Sequence, residues 1–317
     1  MARAERCRAA AAVLALSFLL AHDARAYCVA TTCDQKTETC GPPVNGCIVV
    51  GARLHWESRC LSFGVQRNGS PLRHITYATA DAIIQTAFEQ WLDADCGAGA
   101  RPSFNMWDLG KPFGGIVCDE PEFNSTKPNA NVWMFRDDKW PYEGADSTLA
   151  LTSTIFEKSS GALLDADVEI NSIDNVITTT SISSQVQRDL QAIVTHEAGH
   201  FLGLGHSQDP KATMYAEYSP GDLNYRSLTA DDQAGICSVY PPNRDAPACT
   251  APSPAHGFSL YCGGGDDDGT ASVSGCTMPS RGGASAAGGL LVVAALGSAA
   301  LGRRRKRTPR RRFSAPP

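Results

Sequence analysis

Apolar positions change period several times along the middle of this chain, and each change marks an element. Between positions 79 and 97, Ile84, Ala87, Phe88, Trp91 and Leu92 recur at helical spacing, which predicts a helix capped by Thr79 and closed at Gly97. Short β-branched and aromatic runs predict strands at 61–66, 131–135 and 149–155, with a turn at Asn68-Gly69-Ser70-Pro71. Another is expected at 166–171, where Val168 and Ile170 alternate with polar neighbours. Val186, Leu190, Ile193, Val194 and Phe201 form a stripe that predicts a second helix over 185–202, with Ser183 or Ser184 as its cap. A third helix is expected after Thr229, a capping residue followed by Asp231 and Asp232 in the first turn. Strands and helices mix without an internal repeat, so the expected fold class is α+β.

The pattern is different at the ends. Arg3, Arg6 and Arg8 precede an apolar run at 9–21 and then Ala24-Arg25-Ala26, which reads as a secretory signal (residues 1–26) cleaved after Ala26. The run is shorter than the roughly 20 residues a membrane helix needs. At the other end, Gly275-Cys276 is followed by an apolar span at about 283–302 and by RRRKR at 303–307. As physical chemistry this is a single-span anchor with a cytoplasmic Arg cluster. The layout also resembles the MYXO-CTERM class of bacterial sorting signals, which implies processing near Cys276 and attachment of 276–317 at the cell surface. Residues 242–275, rich in Pro, Ser, Gly and Asp, read as a flexible spacer.

Charge follows the same division. The chain of 317 residues has a net charge of −5, but residues 276–317 hold nine basic residues and no acid. The body from 27 to 275 is left with fifteen bases and thirty-one acids, a net of −16, which disfavours nucleic acid as a partner. Setting aside Cys7 and Cys276 leaves ten cysteines in that body, at 28, 33, 40, 47, 60, 96, 118, 237, 249 and 262. An even number in an exported chain predicts disulfides, tying the turn-rich segment 27–51 and the tail beyond 237. The absence of any CxxC pair argues against a Cys-rich zinc module.

The chemistry is concentrated at 195–207, THEAGHFLGLGHS. Residues four apart share a helix face, so His196 and His200 can present two imidazoles to one metal ion. Glu197 follows the first His and brings a carboxylate beside the metal. Gly203 can take a left-handed conformation that turns the chain back and delivers His206 as third ligand. Three neutral imidazoles leave the fourth position of Zn²⁺ to water, the arrangement of a catalytic site. With average residue usage, HExxHxxGxxH arises by chance in about one chain in 10⁵ of this length.

The segment HEAGHFLGLGHS with Ala212-Thr213-Met214-Tyr215 resembles the metzincin metalloproteases, most closely the matrixin branch, with Met214 eight residues after the third His. The likeness extends over about 52–241. It implies a metzincin-like catalytic domain: a twisted mixed sheet, an active-site helix and two further helices. It implies one zinc held by His196, His200 and His206, Glu197 as general base and proton donor, and Met214 as a hydrophobic floor. It also implies substrate lying extended along Leu149, Ala150, Leu151 and Thr152, with Tyr218 in the specificity-pocket wall. Ala216 stands where the family usually has Pro, and no His occurs between 97 and 195 for a second, structural zinc. Asp165 and Asp167 read as a solvated acidic loop, with a Ca²⁺ site as the other reading. Cys40-Gly41-Pro42 offers a possible latency thiol, set against disulfide pairing of Cys40.

The expected protein is a secreted or surface-tethered zinc endopeptidase, a monomer acting on polypeptide, touching membrane only through its C-terminal segment. The alternative is a catalytically silent adhesion or scaffold module that keeps the fold.

Overall fold

The computed structural model describes residues 26–34, 38–142, 148–246, 249, 251–252, 254–264, 289–291 and 311–314. Cys276 and all of the signal sequence except Ala26 lie outside the described residues, as does most of the apolar span at 283–302. Among the described residues no helix is long and apolar enough to cross a membrane.

In chain order the strands and helices are β1 (Cys28–Val29), β2 (Cys60–Val65), α1 (Tyr77–Leu92), β3 (Asn105–Asp108), β4 (Val132–Phe135), β5 (Thr148–Phe156) and β6 (Leu163–Ile170). They continue with β7 (Ile177–Thr178), β8 (Arg188–Asp189), α2 (Leu190–Phe201), β9 (Leu204–Gly205), β10 (Glu217–Tyr218), α3 (Ala230–Val239), β11 (Gly289–Leu291) and β12 (Arg311–Ser314). The main sheet runs β3-β2-β4-β6-β5. Its first four strands pair in parallel, and β5 closes one side antiparallel to β6, with Ala150 opposite Ile170 and Thr152 opposite Val168. This is the expected mixed α+β arrangement with three helices.

Two helix starts differ from the sequence expectation. α1 begins at Tyr77 because Thr76, not Thr79, is the cap: its side chain accepts from Thr79 N. α2 begins at Leu190, not near 185, because residues 183–185 form a short 3-10 turn and Asp189 caps the helix by accepting from Ala192 N. α3 starts as expected, with a reciprocal capping box between Thr229 and Asp232.

α1 and α2 pack together, and Trp91 on α1 donates from its indole N–H to Thr195 O at 2.9 Å. Phe88 joins helices to sheet, its ring centroid 4.9 Å from that of Phe63, 5.4 Å from Trp133 and 5.3 Å from Phe201. These aromatics are buried and fix the height of α2 above the strands.

All ten body cysteines pair: Cys28–Cys47, Cys33–Cys40, Cys60–Cys249, Cys96–Cys237 and Cys118–Cys262. Cys40 is therefore not a latency thiol. The expected spacer's two cysteines, Cys249 and Cys262, bind it to the body, and Val117 N and Cys118 N both donate to Leu260 O. Residues 254–264 accordingly lie on the body as an added layer rather than as a free linker. At the N-terminus, β1 pairs antiparallel with β9, so the disulfide-tied segment is clasped beside His206.

Candidate active site

α2 carries His196, Glu197 and His200 on a fully buried stretch. The helix ends at Phe201 with Leu202 as its cap, and Gly203 turns the chain at φ +92°, where an added Cβ would lie 2.5 Å from Leu54 O. β9 then returns His206 to the other two, its ring centroid 5.3 Å from His196 and 5.0 Å from His200. Each of the three offers one nitrogen, and these nitrogens all lie within 4.8 Å of one another.

The imidazoles are oriented by main chain. His196 Nδ1 lies 2.7 Å from Thr213 O, and His200 Nδ1 lies 2.8 Å from Leu204 O. A carbonyl can only accept, so each Nδ1 carries the proton and each Nε2 presents a lone pair. Burial holds His200 down at about 4. Burial, with the neighbouring imidazoles of His200 and His206, holds His196 well below its ordinary value. Neutral rings with aligned lone pairs suit a borderline-soft divalent cation, and zinc fits this donor set.

Glu197 is completely buried beside them. Its Oε2 accepts from Thr152 Oγ1 at 2.6 Å, while Oε1 has no hydrogen-bond partner. Burial pushes this carboxyl up to about 8, against the lowering effect of the Thr152 bond.

Residues 132–241 match the family model described as Matrixin. That part of the chain is similar to the matrixins. The chain is similar to the Metalloendoproteinase 1-MMP of Arabidopsis thaliana, 40% identical over 45% of this chain and 37% of the plant protein. It is also similar to the human neutrophil collagenase, 28% identical over 65% of this chain and 38% of that protein. Human matrilysin is 39% identical over 32% of this chain and 35% of its own length. The chain thus spans little more than a third of the length of these relatives.

Within the matched region, Met214 lies directly under α2. A Cβ on Gly199 would collide with Met214 Sδ and come within 2.8 Å of Trp91 Cζ2, so the helix residue above the Met must be Gly. The Met214 loop is held from below by Asp232, which accepts from Thr213 N at 2.8 Å and Met214 N at 3.0 Å. Because Thr213 O in turn orients His196, the α3 capping residue Asp232 is linked to the metal site through two hydrogen bonds. Sequence reasoning recognised Asp232 only as a helix-start acid. The capping box was visible, but nothing in the sequence shows what else its carboxylate accepts.

Asp231 was missed as well. It accepts from Ser207 Oγ at 2.6 Å, Ala26 N at 2.9 Å and Tyr27 N at 3.0 Å, which ties the N-terminal segment to the residue after His206.

The residues expected to line the substrate path divide. Leu149, Ala150, Leu151 and Thr152 are all on β5 and all buried, and the side chain of Thr152 is directed to Glu197. Tyr218 is buried on β10, accepting from Asp189 N at 3.1 Å and donating to Asp222 O at 2.9 Å. Asp165 and Asp167 are not a solvated loop: each is only 2% exposed. Asp167 accepts from Val132 N at 2.7 Å and Glu122 N at 2.9 Å, while Asp165 Oδ1 has no hydrogen-bond partner. Cys118, Glu122 and Cys262 also converge, but the two sulfurs are bonded to each other and are not ligands.

Proposed function

We propose that this protein is an exported zinc endopeptidase in which His196, His200 and His206 hold the metal and Glu197 handles the proton. The observation that carries this reading is the pairing of carbonyl-oriented imidazoles with a buried carboxylate whose Oε1 has no partner. Zinc held there polarises a scissile carbonyl and lowers the pKa of a bound water toward ~7.

The chain's own residues supply the rest. Thr152 Oγ1 fixes Glu197 by its Oε2, so Oε1 is the atom that accepts a proton from attacking water and returns it to the leaving amine. The dry surroundings favour the protonated carboxyl and so make Glu197 a stronger base than an exposed glutamate. Met214 and Trp91 beneath α2 keep the ligand helix rigid, which preserves the alignment of the two rings. Substrate is an extended polypeptide beside β5, with the β10 segment around Tyr218 as the opposite wall. Five disulfides favour an oxidising compartment, in keeping with export through the N-terminal signal and surface attachment through Cys276 and the tail. The buried, unpartnered Asp165 Oδ1 beside Asp167 supports a Ca²⁺ ion there as a structural cation.

The test is cleavage of casein or a reporter peptide library, with zinc content measured in parallel. A chelator should abolish cleavage and added zinc restore it. Glu197→Gln should keep its zinc while losing activity by about 10²–10⁴-fold. Equal activity in parent and variant would overturn the mechanism, and a zinc-loaded parent without activity would favour the scaffold reading.

A further inference from the structure

The disulfide-tied N-terminal segment does more than close one end of the chain, because it walls a cavity beside the metal site. This cavity, of about 360 Å³, lies between the segment and the loop that carries the third histidine. Cys28, Val29 and Ile48 line it from the N-terminal side, and His206, Tyr215 and Ala216 from the other. The N-terminal wall lies outside residues 132–241, the stretch that matches the family model.

Both walls are pinned. β1 pairs with β9, Cys28 opposite Gly205 and Val29 opposite Leu204, and Ala30 N donates to Gly203 O at 2.9 Å. The Cys28–Cys47 bridge carries this anchoring to a hairpin in which Val44 N donates to Cys47 O and Cys47 N to Val44 O. Asn45 and Gly46 turn it at φ +50° and +81°, the two left-handed positions of a tight hairpin turn. Across the cavity, Ser207 N donates to Met214 O at 2.8 Å and joins the His206 loop to the Met214 loop. A cavity held on both sides in this way needs little rearrangement to receive a ligand.

We propose that this cavity is a specificity pocket taking one large apolar side chain of the substrate, close to the scissile bond. This rests on the peptidase reading above. His206 belongs both to the histidine cluster and to the cavity lining. An extended peptide with its carbonyl at the metal therefore passes the cavity within about three residues, at roughly 3.3 Å per residue. The volume corresponds to about twelve waters of ~30 Å³ each, room for a Leu, Met or Phe side chain. Val29, Ile48 and the disulfide give the cavity an apolar flank, and Glu217, which also lines it, disfavours an acidic side chain.

The test fills the cavity from each wall in turn, with Ile48→Trp and Ala216→Phe in the full chain. Zinc content and Tm show which variants are folded, and one folded variant is enough. Against a peptide library, the parent should favour Leu, Met or Phe over Gly by about 10–100-fold in kcat/KM at one position near the scissile bond. A filled variant should lose that preference, mainly through KM, and keep the preferences at other positions. An unchanged profile in a folded variant would overturn the proposal. So would a parent indifferent to apolar size at every such position, or one preferring Arg or Lys at the position the variants alter. If the parent does not cleave, the peptidase reading fails, and peptide binding decides the cavity separately. By fluorescence polarisation the parent should then bind a labelled Leu-containing peptide about tenfold tighter than its Gly counterpart, and the filled variant should not. Equal affinities for the two peptides would overturn the pocket.

Discussion

Glu197 and the Asp165–Asp167 pair are both buried carboxylates, and the protein does opposite things with them. Glu197 has a single side-chain donor, Thr152, to its Oε2, and its Oε1 has no hydrogen-bond partner. Asp167 accepts two main-chain N–H groups, from Val132 and Glu122, and stands beside a second carboxyl, Asp165. Burial pushes both Glu197 and Asp167 up to about 8. A raised pKa therefore does not distinguish them. What separates a proton carrier from a structural clamp is the number of donors already committed to its oxygens.

The sharpest way to break the comparison is to neutralise each carboxylate in turn. Glu197→Gln should abolish turnover with little change in Tm, because its function rests on a proton. Asp167→Asn should leave the zinc ligands in place but turn an amide N–H toward a main-chain donor. That costs about 2–3 kcal/mol and should lower Tm by roughly 5–10 °C. A melting curve and a zinc assay on the two proteins would show whether the roles cross over as expected. If Asp167→Asn lost zinc and Glu197→Gln lost stability, the assignment would be reversed.

A smaller effect is expected from Thr152→Val, which keeps the shape of the β5 residue and deletes the donor to Glu197 Oε2. Losing one hydrogen bond to a charged group, about 1.5 kcal/mol, should lower kcat about tenfold with KM nearly unchanged. A change confined to KM would mean that Thr152 serves substrate rather than Glu197. Chelating Ca²⁺ without stripping zinc should lower Tm by several degrees if the Asp165 pair holds a cation, and by nothing if it does not.

The smallest predicted effect concerns Asp108, a partly buried carboxyl on β3 pushed up to about 7 by burial and by neighbouring Asp81. A carboxyl raised in the folded state contributes stability that is complete below the ordinary carboxylate pKa of about 4. That contribution is lost as pH rises through about 7. Tm should therefore fall between about pH 4 and 7 and level off above, and Asp108→Asn, which keeps the acceptor for Gly110 N and Lys111 N, should flatten the slope. The expected change is about 2–4 °C, measurable by differential scanning fluorimetry across that range.

The metal ligands were legible because metal chemistry dictates residue type and spacing together: His196, His200 and His206 can be found in letters alone. The strands at β2, β4 and β5 were legible because apolar runs bounded by turns admit few other readings. The start of α2 was not, since Ser183, Ser184 and Asp189 are all competent caps and only packing selects Asp189. The carbonyls of Thr213 and Leu204 that orient the rings carry no sequence identity at all.

Three bridges, Cys60–Cys249, Cys96–Cys237 and Cys118–Cys262, share the interval between positions 118 and 237. Any single backbone scission at 119–236 leaves two fragments joined by three covalent bonds. On non-reducing electrophoresis such a nicked molecule would migrate near its parent, and only reductant would separate the pieces. Damage in that interval is thereby made local: the thread is cut, but the ring stays closed.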